Sequence, residues 1–263
     1  MRVDVLSSGI WQTNTTLVER EDRVVVVDPG YFPGEIEAIA ARAAQLGETK
    51  AVVFTHGHWD HVMGHAAFPN VPVWCSAALA SSVAAGDASA ARHLEAARAF
   101  DSRWYVSRAQ GYRWPRLLHG LNDGDHLELG GITVEALALP GHTSDGLGLL
   151  IEACGLLIAG DYLSPCEIPF VEDIDVYRQT LARLLGVLGE RVEGVVPGHG
   201  HRLTAAEAAE IARADLRYLD RLVEARSRGD LEMARTTPLP RAGDVVGMWD
   251  EHRKNCATLG LTI

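Results

Sequence analysis

The chain has little cysteine: four in 263 residues (Cys75, Cys154, Cys166 and Cys256), scattered and never in a CxxC pair. Such usage offers no disulfide framework and describes free, mostly structural thiols. Positive charge is also short, with 24 Lys plus Arg against 35 Asp plus Glu and a net charge of −11. A broad nucleic-acid footprint needs a basic face, so none is expected. Long apolar runs are missing, and no stretch reaches the roughly 20 residues of a membrane span. The opening MRVDVLSSGIWQTNTTLVERED has no basic start followed by an apolar core, so no signal peptide is visible and the cytoplasm is the expected location. Neither a GxGxxG dinucleotide fingerprint nor a GxSxG nucleophile elbow occurs.

What is present suits an ordinary globular chain able to bury a real core, with 47% hydrophobic and 22% charged residues. Short β-rich runs at Val3–Leu6, Thr15–Glu19 and Val24–Asp28 predict strands, the last two joined as a hairpin. Pro33 and Gly34 open an amphipathic helix that stops at Gly47. Ala51–Thr55 and Val71–Cys75 read as further strands. From Ala77 to about Arg108 the composition turns to Ala, Ser and Arg at helical spacing, which marks 77–115 as an insertion or lid. Strand signals resume at Asp125–Leu129, Ile132–Leu139, Gly148–Ile151 and Leu156–Ala159. A helix over Asp175–Leu188, a strand over Val192–Val196 and a long helix over Thr204–Arg226 follow. Thr204 and Glu207 form a capping box for that last helix. This order predicts an α/β protein of the αββα sandwich type, two mixed sheets flanked by outer helices.

Chemistry concentrates in THGHWDH at 55–61, directly after an apolar run. His56 and His58 stand two apart, so in an extended segment they point the same way and can share one cation. Asp60 and His61 follow where the chain turns, and can face a second position nearby. Imidazoles with a carboxylate are donors that zinc prefers, and a catalytic zinc keeps a coordination site open. Three more candidates stand at the C-terminal ends of apolar runs, each beside a glycine that allows a tight turn: His142 in LPGHTSD, Asp161 in LLIAGDY and His199 in VVPGHGH.

With these pieces in order, the chain resembles the metallo-β-lactamase superfamily. The match comprises Asp28 in VVVVDPG, THGHWDH, PGHT at 140–143, GD at 160–161 and PGHG at 197–200. The resemblance implies one domain over 1–263, with a C-terminal helical extension at about 204–263. It implies that His56, His58 and His142 hold a first metal, that Asp60, His61 and His199 hold a second, and that Asp161 bridges them. Asp28 would position the histidine loop from behind. Zinc is the favoured cation, and manganese or iron would also suit a His/Asp shell. A hydroxide between two such cations would attack an ester, thioester or lactone carbonyl of a small molecule, with Asp60 helping to orient it or manage its proton.

Within that superfamily, Asp161 stands where one group of β-lactamases has a cysteine ligand, which disfavours antibiotic hydrolysis. Acyl-homoserine lactonases carry a tyrosine three residues after the bridging aspartate; Ser164 is there instead, with Tyr162 out of register. Hydroxyacylglutathione hydrolases share the seven-ligand pattern but recognise glutathione with basic residues in their C-terminal part. Arg202, Arg241, Arg253 and Lys254 match no such motif. The alternatives are an RNase Z-type phosphodiesterase and a mono-iron persulfide dioxygenase-like oxidoreductase. Neither nucleic acid nor membrane is expected as a partner, and the oligomeric state stays open. Among flanking residues, Tyr31 is expected to contact substrate and Phe32 to anchor its loop. Trp59 either walls the pocket or packs beneath it. The aromatic stretch 104–114 lines a channel or packs in the core. His93, His119, His126 and His252 are expected at the surface.

Overall fold

The structure, a computed structural model, describes residues 1–241 and 245–263, so the 242–244 part of the TTPLPRAGD turn lies outside the described residues. The run VVVV at 24–27 sets the architecture, because it is buried on both faces. Val24 and Val26 pack under outer helices, while Val25 and Val27 pack toward residues of a second sheet. The first sheet runs β1 (Arg2–Ser7), β2 (Asn14–Arg20), β3 (Arg23–Val27), β4 (Glu48–Val53), β5 (Val73–Ser76) and β6 (His119–Leu121), in that spatial order. β1 to β3 pair antiparallel, and β3 to β6 pair parallel. The β2–β3 hairpin turns on Glu21 and Asp22, both at positive φ, which matches the twist of the flanking strands.

The second sheet has the order β12-β11-β10-β9-β8-β7. Its strands are β7 (His126–Leu129), β8 (Ile132–Ala138), β9 (Leu147–Ile151), β10 (Leu156–Ile158), β11 (Gly194–Val196) and β12 (Leu203–Thr204). Only β10 and β11 pair parallel. The core between the sheets contains Val53, Ile132, Leu149 and Val196, among others. The expected αββα sandwich is the observed fold.

The helices are α1 (Pro33–Leu46), α2 (Trp59–Val62), α3 (Ala77–Ala85), α4 (Ala88–Trp104), α5 (Ile174–Glu190), α6 (Ala205–Arg228), α7 (Leu231–Arg235) and α8 (Met248–Thr258). The helical stretch expected from Ala77 breaks in two at Gly86, whose φ is +63°, and Asp87 restarts it by accepting from the Ser89 and Ala90 amides. The capping box of Thr204 and Glu207 is formed. Helices α5, α6 and α8 cover the outer face of the second sheet. No helix of the described residues is long and apolar enough to cross a membrane.

The same geometry recurs at three strand ends. His56, Asp161 and His199 each lie three positions beyond the last residue of β4, β10 and β11, namely Val53, Ile158 and Val196. The sheets end together, so residues more than a hundred positions apart meet at one rim.

Candidate metal centre

Seven side chains converge there in two groups: His56, His58, His142 and Asp161, and beside them Asp60, His61 and His199. Asp161 faces both. Its Oδ2 lies 3.5 Å from His56 Nε2 and 3.1 Å from His142 Nε2, and its Oδ1 lies 3.2 Å from His61 Nε2 and 3.3 Å from His199 Nε2. Asp60 Oδ2 accepts from Thr13 Oγ1 at 3.2 Å and stands 3.5 Å from His61 Nε2.

The outward nitrogens decide what the inward ones carry. His142 Nδ1 meets the Phe170 carbonyl at 2.8 Å, His199 Nδ1 the Trp11 carbonyl at 2.9 Å, and His61 Nδ1 the Asp28 carboxylate at 2.9 Å. Each of those oxygens accepts only, so each Nδ1 donates and, in the neutral ring that binds a metal, each Nε2 turns a lone pair inward. His58 Nδ1 lies 3.0 Å from His142 Nε2, and His56 Nε2, His61 Nε2 and Asp161 Oδ1 are buried with no hydrogen-bond partner among the described residues. Lone pairs aimed at a carboxylate are unfavourable unless a positive charge sits among them. The donor set therefore fits divalent cations, and no cysteine belongs to either group.

Charge tells the same story. Burial keeps His56 and His58 well below the usual histidine range. Burial also works against ionised Asp161, yet the facing imidazoles of His199, His61, His56 and His142 hold its pKa well below that of an ordinary carboxyl. For His199, burial pulls downward and Asp161 overcomes it, raising the pKa to about 10.

Asp28 adopts φ +53°, just beyond β3. Its Oδ1 accepts the Thr55 amide at 2.8 Å, and its Oδ2 accepts the Thr55 hydroxyl at 2.7 Å as well as His61 Nδ1. One carboxylate thus ties the start of the histidine loop to one of its imidazoles. Gly198 is needed for a different reason: a Cβ there would lie 2.2 Å from Asp161 Oδ1. Gly198→Ala is expected to displace that carboxylate and cut turnover by about a hundredfold, since misplacement by about 1 Å has that effect. Elemental analysis with kinetics checks this, and unchanged values for both would refute the close-approach role.

A cavity of about 580 Å³ opens over the two groups. Trp59 lines it and also packs on Tyr31 and Phe100, with ring centroids 4.3 and 4.8 Å away, so it serves both roles considered for it. Tyr31 requires a correction. It is fully buried, its hydroxyl donates to Asp101, and it forms the layer behind Trp59 rather than a wall for substrate. Phe32 packs on Tyr31 at 5.5 Å. From the 104–114 region the cavity takes none of the aromatics; Trp104 and Tyr105 are exposed, and Trp114 donates to the Ala90 carbonyl.

Of the four histidines expected at the surface, three are not fully exposed. His93 is half-buried with its ring 5.5 Å from that of His58, and His252 is buried between the Tyr218 hydroxyl and the Ala234 carbonyl. His119 is half-buried and stacks on Trp74, while His126 is exposed. Sequence reasoning misses Trp11, Glu167 and Phe170, which also line the cavity. Trp11 and Gln12 both have positive φ, which turns the Trp11 carbonyl onto His199. Burial pushes the Glu167 carboxyl up to about 7.

The model of the metallo-beta-lactamase superfamily matches residues 8–226, most of the chain. The chain belongs to the metallo-β-lactamase superfamily. It is 28% identical over 147 residues to a hydroxyacylglutathione hydrolase of Aeromonas hydrophila, a match covering 56% of this chain and 45% of that protein. To the hydroxyacylglutathione hydrolase GloC of Haemophilus influenzae it is 28% identical over 174 residues, covering 62% and 72%. The chain thus spans less than half the length of the Aeromonas relative. A metallo-beta-lactamase family protein of Thermus thermophilus superposes with a TM-score of 0.68 at 19% identity, covering 98% of this chain and 93% of that one. That likeness is one of fold and covers nearly the whole chain.

Proposed function

We propose that this chain is a metal-dependent hydrolase that cleaves an ester, thioester or lactone bond of a small molecule at two divalent cations, zinc being favoured. The inward-facing lone pairs around Asp161 carry this reading. His56, His58 and His142 would hold one cation, Asp60, His61 and His199 the other, with Asp161 between them. When bound, such a pair supplies hydroxide at neutral pH and polarises the carbonyl under attack. The chain's own residues do the rest. Thr13 fixes Asp60, which would orient that hydroxide or accept the proton released in forming it. The Trp11, Phe170 and Asp28 oxygens lock three imidazole tautomers. Trp11, Trp59 and Phe170 give the cavity an apolar lining that excludes water and receives the substrate's apolar part. The named relatives support the thioester choice.

The test is a hydrolysis screen of zinc- and manganese-loaded protein against thioesters, lactones, β-lactams and phosphodiesters, with elemental analysis of the same preparation. Two equivalents of metal and carbonyl-ester turnover are expected, with both His58→Ala and Asp60→Ala inactive. A single iron with oxygen uptake on a persulfide, or turnover of phosphodiesters alone, would overturn it.

A further inference from the structure

Glu167 lies six residues beyond Asp161, on the loop that leads from β10 to α5. It is only 6% exposed and lines the cavity. Among the described residues its carboxylate accepts no hydrogen bond. The nearest cationic candidate is His199 Nδ1, 3.8 Å from Oε1, and that nitrogen already donates to the Trp11 carbonyl at 2.9 Å. Glu167 is therefore not the group that orients His199. The other acids of the cavity have partners. Glu251 pairs with Lys254 at 2.8 Å, Asp250 pairs with Arg253, and Asp60 and Asp161 belong to the two ligand groups.

The loop is built to hold this carboxylate in place. Leu163 sits at φ +64°, a strained conformation for a residue with a side chain. Ser164 Oγ then accepts from the Cys166 and Glu167 amides at 3.3 and 3.1 Å. Arg241 Nε donates to the Glu167 carbonyl at 2.6 Å while its guanidinium pairs with buried Asp215 of α6. Helix α8 adds Asn255, donating to the Pro169 carbonyl at 2.6 Å. Backbone strain and three separate anchors hold a cavity-facing acceptor that no donor among the described residues answers.

We propose that Glu167 is a specificity-determining residue that receives a nitrogen donor, an amide N–H or an ammonium, carried by the substrate next to its scissile carbonyl. The proposal rests on the hydrolase reading for the bond that is cleaved, and on the cavity alone for the donor that is bound. It also gives the C-terminal segment a task, since Arg241 and Asn255 hold the loop that presents Glu167.

The test compares three matched thioesters whose acyl α-carbon carries an acylamino group, an amino group or hydrogen. The three non-hydrolysable thioether counterparts are titrated into zinc-loaded protein by quenching of tryptophan fluorescence, Trp11 and Trp59 being in the cavity wall. At pH 8 to 9 the parent is expected to favour a nitrogen-bearing ligand over the hydrogen one by about tenfold or more, as a charge-assisted hydrogen bond gives. Glu167→Leu should bring that ratio to near one. Glu167→Gln should retain part of an acylamino preference, because its amide oxygen still accepts, and lose an amino preference; this tells the two donors apart. A ratio unchanged in Glu167→Leu, or equal loss for all three ligands together with loss of zinc, overturns the proposal. If no thioester is cleaved but the thioether ratio depends on Glu167, the hydrolase reading fails and the donor site stands. If thioesters are cleaved without regard to the donor, the reverse holds.

Discussion

Asp161→Ala is expected to lower turnover by about a thousandfold or more, equivalent to about 4 kcal/mol of transition-state stabilisation. Its two oxygens face four imidazole nitrogens at 3.1 to 3.5 Å, two on each side. Removing the carboxylate leaves those lone pairs facing one another with no negative charge to draw cations between them. Asp161→Asn is the sharper variant, because it keeps the shape and removes the charge. Elemental analysis of both should find less metal than in the parent protein. Parent-like metal content and kinetics in both variants would end the idea that Asp161 joins the two groups. Asp28→Asn should be milder, at about 10- to 100-fold in metal affinity, because it touches His61 and Thr55 from behind.

Much of this candidate site is legible in the sequence because its residue types are scarce and its positions are governed by strand ends. Histidine, aspartate and glycine after an apolar run mean that a chain leaving a sheet must turn with a polar group at the corner, and both sheets end at the same rim. Trp11 is not legible. Its contribution to His199 is a backbone carbonyl turned by two residues at positive φ, and no side-chain pattern encodes that. Glu167 is hidden for another reason: its position depends on Arg241 and Asn255, more than seventy residues away. Spacing puts Tyr31 near the site, but its ring packs behind Trp59 and does not line the cavity. Proximity to Asp28 can be read from the sequence, whereas the direction of the ring depends on Asp101 and Arg108 in the helical insertion. His93 misleads in a similar way, since helical spacing alone does not reveal which face of α4 meets His58.

Asp101→Ala should be the most damaging change away from the metal centre, at about 3–5 kcal/mol, the usual consequence of leaving a buried charge unpaired. Asp101 is 1% exposed at the C-terminal part of α4. Its carboxylate accepts from the Tyr31 hydroxyl, the Arg108 guanidinium and, at 2.8 Å, the Tyr112 hydroxyl. Arg108 continues the cluster, donating to the Tyr31 carbonyl at 2.6 Å and lying 3.9 Å from the centre of the Tyr31 ring. Without Asp101, the guanidinium and two phenols lose their shared acceptor at once. A melting temperature lower by about 10 °C is expected for a chain of this size. Replacing Asp101 and Arg108 together by Leu and Met should recover part of the loss, because no unpaired charge then remains. A single variant melting within about 1 °C of the parent would show that the cluster carries no such weight. The same contacts bear on whether residues 77–115 open as a lid. Tyr31 packs directly on Trp59, and Asp101 and Arg108 both bond to Tyr31, so opening this segment would first have to break the buried hydrogen bonds from the Tyr31 hydroxyl to Asp101 and from Arg108 to the Tyr31 carbonyl. Substrate entry is therefore expected beside the Val245–Met248 segment, which borders the cavity and where Val246 is 94% exposed.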